Sequence, residues 1–282
     1  MATDSPAPSS RRAVVFEVLG LWLVTMLLIR GLKVAVDVGA PKLLLAGVPL
    51  LFMYAPVLLC RWRGVDSWSY PLAIPSLRDR ATWLEALKLN GVLIAVMILP
   101  WIGLYHLWQT MLLPDLITWL NPHLADIGGW LVEAGWLAPD NLRQLRLPVP
   151  SFSFRGTWPD QFLLLIGYHL FFVALPEEMF YRGYLQTRLE EAFPPQRRVL
   201  GVAIGRAVVF TSLIFAFGHS IVELQWWHFA IFAPSLIFGW LRNKSGDIVA
   251  GAFFHAWCNV LAVTLDTLYG VVVPLSTSGT GG

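Results

Sequence analysis

Seven long apolar runs, three of whose six connecting links are basic, constrain this chain more than any other feature; they cover 14–36, 42–60, 82–105, 161–185, 199–222, 227–241 and 248–269. At 1.5 Å rise per residue, about 20 apolar residues on a helix cross the roughly 30 Å hydrocarbon core of a bilayer. Backbone groups inside lipid have no water to bond, so such runs are expected as helices. A shorter stretch, 107–120, carries Pro114 and reads as an interfacial or re-entrant helix. The expected fold is all-α: a polytopic transmembrane helical bundle of about seven to eight spans with a partly structured extracytoplasmic loop. Composition agrees, since 56% of the 282 residues are hydrophobic and only 13% charged, against roughly 25% charged in soluble domains. Fourteen Trp and 17 Phe are more apolar surface than a water-soluble chain of this size can hide. A soluble globular enzyme and a disordered protein are excluded. A net charge of +2 without a basic stripe argues against a nucleic-acid partner.

The charge pattern orders these runs. Residues 1–13 read as a disordered lead, 14–105 as N-terminal transmembrane helices, 106–160 as an interfacial or extracytoplasmic loop region, 161–269 as a functional transmembrane core and 270–282 as a flexible tail. Arg11 and Arg12 precede the first run as in a signal peptide, but that run is too long and no cleavage pattern follows it. Basic links at Arg61, Arg63, Arg78 and Arg80, at Arg188, Arg197 and Arg198, and at Arg242 and Lys244 contrast with the acidic 107–160 region. By the positive-inside bias the N-terminus is expected in the cytoplasm, with the long loop outside. Gly201 and Gly205 form a small-xxx-small spacing that reads as close helix packing.

Ionisable side chains at membrane depth are costly and mark candidate functional positions. Three clusters stand out: Pro176-Glu177-Glu178 through Arg182, Phe215 through His219, and His255 through Asn259. On a helix Glu178 and Arg182 are four apart and share a face, so they can pair. Glu177 lies about 140° round the helix from Arg182 and is left for chemistry. His255 and Asn259 share a face, and Asp266 falls within about 20° of the same stripe. His169 reads as a packing residue. A carboxylate, two imidazoles and an amide on three helices suit peptide-bond hydrolysis, with the acid as general base helped by one histidine, and the second histidine and the amide as oxyanion donors. Drawn as straight spans, His219 sits near the outer end of its helix and Glu177 near the inner end of its own. They meet only if a helix is kinked, tilted or longer, and Pro176 offers a kink.

Glu177-Glu178-xxx-Arg182, Phe215-xxx-His219 and His255-xxx-Asn259, in that order, resemble the motifs of the CPBP family of polytopic intramembrane glutamic proteases, which includes the CAAX prenyl endopeptidases of the Rce1 type and bacteriocin-processing relatives. The resemblance covers 161–269. It implies that Glu177 activates water with His219, that His255 and Asn259 form the oxyanion site, and that Glu178 and Arg182 support them. It implies no cofactor and no metal. The implied partners are the lipid bilayer and a membrane-tethered protein or peptide cut near its terminus, whether CAAX tail, bacteriocin leader or C-terminal sorting segment.

Three other readings use the same residues. Glu177, His219 and His255 are a chemically competent zinc set, although HExxH is absent. Cys258 beside His255 could serve a thiol protease. A proton-coupled transporter or a membrane scaffold would also bury Glu, His and Asn.

Overall fold

A computed structural model describes residues 10–72, 74–76, 78–140, 142, 147, 149, 152–223 and 226–271. Most of the 1–13 lead and of the 270–282 tail, with Arg143 and Arg146 of the loop, lie outside the described residues. Among the described residues the protein is all-α apart from one short hairpin. Its helices are α1 (Arg11–Asp37), α2 (Gly47–Trp62), α3 (Arg80–Leu107), α4 (Leu113–Glu133), α5 (Phe162–Tyr168), α6 (Leu175–Glu178), α7 (Thr187–Ala192), α8 (Arg206–Glu223), α9 (Phe232–Ser245) and α10 (Val249–Leu268), with β1 (Arg197–Val199) and β2 (Val202–Ile204) before α8.

Among the described residues, six helical segments are long and apolar enough to cross a membrane: Arg11–Asp37, Lys42–Trp62, Arg80–Glu133, Phe162–Ala192, Arg206–Glu223 and Val249–Leu268. The protein is thus an integral, multi-pass membrane protein. Three apolar stretches depart from the sequence expectation, at 227–241, 107–120 and the start of 199–222. Residues 227–241 become a 3₁₀ segment, Trp226–Ile231, and the 14-residue α9, too short to span alone. The 107–120 stretch is no separate short helix. It belongs to the continuous helical segment Arg80–Glu133, in which the π turn Trp108–Leu112 widens the helix just before Pro114 and accommodates its missing N–H.

The expectation that Gly201 and Gly205 pack one helix on another is overturned, because neither is helical. Arg197 pairs with Ile204 and Val199 with Val202, so Leu200 and Gly201 form a two-residue hairpin turn. Both have positive φ, 49° and 79°, as a type I′ turn requires. The chain reaches α8 only at Arg206, and the helix expected from 199 begins seven residues late.

The chain divides into two compact units, which interleave the sequence blocks. The first comprises Met1–Gly91 and Leu163–Val260, the second Val92–Phe162 and Leu261–Gly282. In the second, Phe152 stacks on Tyr269 at 4.6 Å between centroids, and Arg155 N donates to Leu268 O at 2.7 Å, tying part of the 106–160 region to the end of α10. In the first, Ser10 caps α1 by accepting from Ala13 N at 3.2 Å. Gly246, in the left-handed region at φ 80°, ends α9, and Asp247 accepts from Val249 N at 2.8 Å to start α10. That turn sets the register of α10 and hence the position of His255.

Candidate active site

The segment Phe162–Ala192 explains how Glu177 and His219 meet. The helix continues past the apolar run to Ala192, which puts Glu177 near its middle rather than at its end. Around Pro176 it is not uniformly α: π segments His169–Ala174 and Met179–Gln186 flank the α turn Leu175–Glu178. Pro has no N–H to give, and widened turns accommodate that gap; such bulges recur at functional sites. His219 lies one turn before the end of α8, and His255 lies in the second turn of α10.

Two of the three ring-to-acid approaches converge on one atom. Glu177 Oε2 is 3.7 Å from His219 Nε2 and 3.8 Å from His255 Nε2. It is buried and makes no hydrogen bond among the described residues. His219 Nδ1 is 3.0 Å from the Phe215 carbonyl; a carbonyl only accepts, so Nδ1 carries the proton and Nε2 of the neutral ring offers a lone pair. Glu177 and His219 both line a cavity of about 670 Å³, together with Met26, Phe52 and Tyr181.

Behind Glu177 lies a fully enclosed polar layer. Glu178 Oε1 accepts from His255 Nδ1 at 3.1 Å, and its Oε2 is 3.6 Å from Arg182 Nε. Arg182 has no exposed side-chain surface; its Nη2 donates to Ser235 Oγ at 2.8 Å and to Ser235 O at 3.0 Å. The guanidinium carbon lies 4.9 Å from the Phe215 ring centre and 5.6 Å from that of Phe238, within cation–π range. Phe238 stacks on His255 at 4.7 Å and 15°, and the Phe215 ring lies 4.5 Å from His219. Both imidazoles are therefore packed against an aromatic ring and hydrogen-bonded at Nδ1.

The structure brings together five of the six sequence candidates: Glu177, Glu178, Arg182, His219 and His255. Asn259 sits one turn beyond His255, half-buried, and makes no side-chain hydrogen bond among the described residues. Asp266 does not join them. It accepts from Tyr105 Oη at 2.7 Å in the second unit. It shares the stripe of His255, but eleven residues at 1.5 Å each place it about 16 Å further along the helix. The sequence placed an apolar run at 227–241 but did not reveal that its helix, α9, supplies Ser235 and Phe238 to the site. Its one signal was Ser235 inside an apolar run with Phe238 three residues on, an i, i+3 pair that marks a single buried face.

A buried carboxylate oxygen thus faces two oriented imidazoles inside a polytopic helical membrane protein. Residues 159–261 match the model of the family described as Rce1-like, type II CAAX prenyl endopeptidase, which belongs to the CPBP family. That family is one of CAAX-type intramembrane proteases, and the match spans every residue from Glu177 to Asn259. No curated protein and no solved structure matches the chain.

Proposed function

We propose that this protein is an intramembrane glutamic endopeptidase that hydrolyses a peptide bond near the terminus of a membrane-tethered protein or peptide. The observation that carries the reading is the approach of Glu177 Oε2 to His219 Nε2, 3.7 Å, on the wall of one cavity. A single water 2.8 Å from each atom fits that separation and gives one hydrogen to the carboxylate and one to the ring lone pair. Its oxygen is then free to attack a carbonyl. As the C–O bond forms, the water's proton passes to Glu177. When the tetrahedral intermediate collapses and the C–N bond breaks, Glu177 returns that proton to the leaving amine. The base contributes about 10²–10⁴ in rate.

The developing oxyanion falls to His255 and Asn259, on the strength of the family resemblance and their shared helix face. With the Nδ1 proton of His255 committed to Glu178, its Nε2 donates only from the doubly protonated ring, and Glu178 supplies the counter-charge. Arg182 in turn balances Glu178. The test is to trap a cleaved fragment in cells carrying the wild-type chain and to sequence its cut end. A fragment that persists with Glu177→Ala, or none in either strain, overturns the reading.

A further inference from the structure

Away from Glu177, the first unit holds a second groove, of about 530 Å³, and its lining is chemically lopsided. Arg11, Arg197 and Arg206 line it, and among the described residues no acidic side chain does. All three arginines are exposed, and among the described residues none forms an ion pair or a side-chain hydrogen bond; Arg11 alone has a partner, the Phe193 ring 5.7 Å away. Three like charges gathered without a counter-ion repel one another, so the arrangement favours an anionic occupant.

Its place in the fold says which anion. Arg11 is the first residue of α1 and Arg206 the first of α8, so the groove lies at the N-terminal ends of two membrane-spanning segments. The positive ends of both helix dipoles point the same way as the guanidinium charge. From the arginines the lining continues onto Val209 and Leu213 of α8, each 43% exposed. One site thus offers cationic donors where a span leaves the hydrocarbon and an apolar track where it enters. We propose that this groove binds the headgroup of an anionic phospholipid, the three arginines holding the phosphodiester and one acyl chain lying along Val209 and Leu213. Basic pockets between spans recognise such headgroups, and each guanidinium contributes about fivefold to binding.

The test uses the full chain in neutral detergent and follows thermal unfolding during titration with phosphatidylglycerol, phosphatidylcholine or inorganic phosphate. The wild type should rise in Tm with phosphatidylglycerol at concentrations where phosphatidylcholine and phosphate have little effect. The triple variant Arg11→Gln, Arg197→Gln, Arg206→Gln should need about a hundredfold more phosphatidylglycerol for the same rise. A control with the same charge loss elsewhere on the exposed surface, Arg12→Gln, Arg61→Gln, Arg80→Gln, should titrate like the wild type. Equal stabilisation by phosphatidylcholine, an equal response to phosphate alone, or an equal loss in the control triple overturns the proposal. All six substituted positions are exposed, so both triple variants should fold.

Discussion

His255 Nδ1 lies 3.1 Å from Glu178 Oε1 across 77 positions of sequence, and it is this bond that turns the other ring nitrogen toward Glu177. Glu178 also faces Arg182, so removing its charge has two separable consequences. Glu178→Gln leaves the buried guanidinium uncompensated and should destabilise the protein by about 3–5 kcal/mol. Adding Arg182→Met removes the orphaned charge and should recover most of the thermal stability in detergent. Cleavage should nonetheless stay down by about 10²-fold or more, because the neutral amide no longer balances a charged His255. Recovery of both properties in the double variant would show that Glu178 has no positioning role.

Glu177 should behave in the opposite way. Its Oε2 makes no hydrogen bond among the described residues and its carboxylate pairs with no arginine or lysine. Glu177→Gln keeps the shape and removes the base, so unfolding should shift little while turnover falls by about 10²–10⁴. Since Glu177 and His219 approach the same water position, their losses should not add. Glu177→Gln combined with His219→Gln should be no slower than Glu177→Gln alone within a few-fold. Multiplicative losses would place the two residues in independent steps.

The apolar runs and the three polar clusters were legible because each rests on local rules: span length, and helix spacing of three or four. The Glu178–Arg182 pair follows from i, i+4 geometry, and it is present at 3.6 Å. What local rules cannot supply is depth. Placing Glu177 near the middle of its helix needed that helix to run on to Ala192 through the π segment Met179–Gln186, and the polar sequence after Arg182 hides that extension behind a drop in hydropathy. The double duty of Glu178 was equally hidden, since His255 reaches it only through tertiary packing. Asp266 failed for the complementary reason: helix angle alone was considered, and rise along the axis decides.

Gly218, next to His219, sets how closely α8 approaches α1. A Cβ there would stand 2.8 Å from Tyr181 Oη, 2.9 Å from Met26 Sδ and 3.3 Å from Trp22 Nε1. Met26 can bend away, but the fully buried Tyr181 ring has little room to move. Gly218→Ala should therefore push α8 outward and cost about 1–3 kcal/mol. The same shift lengthens the 3.7 Å approach of His219 to Glu177, and a displacement near 1 Å costs about 10²-fold in rate. Cleavage assays and thermal unfolding of Gly218→Ala, alone and with Met26→Ala, check this. The second substitution should restore part of both.

The thiol and metal readings make the last comparison. A nucleophilic thiol must reach the scissile carbonyl, yet Cys258 is 5% exposed and does not line the cavity that Glu177 and His219 share. Cys258→Ala should keep turnover within about twofold, since the substitution removes only a small buried group. A zinc mechanism would draw on Glu177, His219 and His255, but among the described residues no three His, Cys, Asp or Glu side chains are grouped to hold a metal ion. His255 gives its Nδ1 proton to Glu178, an arrangement that a metal-bound imidazole shares, and chelation separates the two mechanisms. Activity of the purified protein should survive a strong chelator, and elemental analysis should find less than one metal per chain. Loss of activity in chelator that returns with added zinc would transfer Glu177 and both imidazoles from water activation to metal ligation.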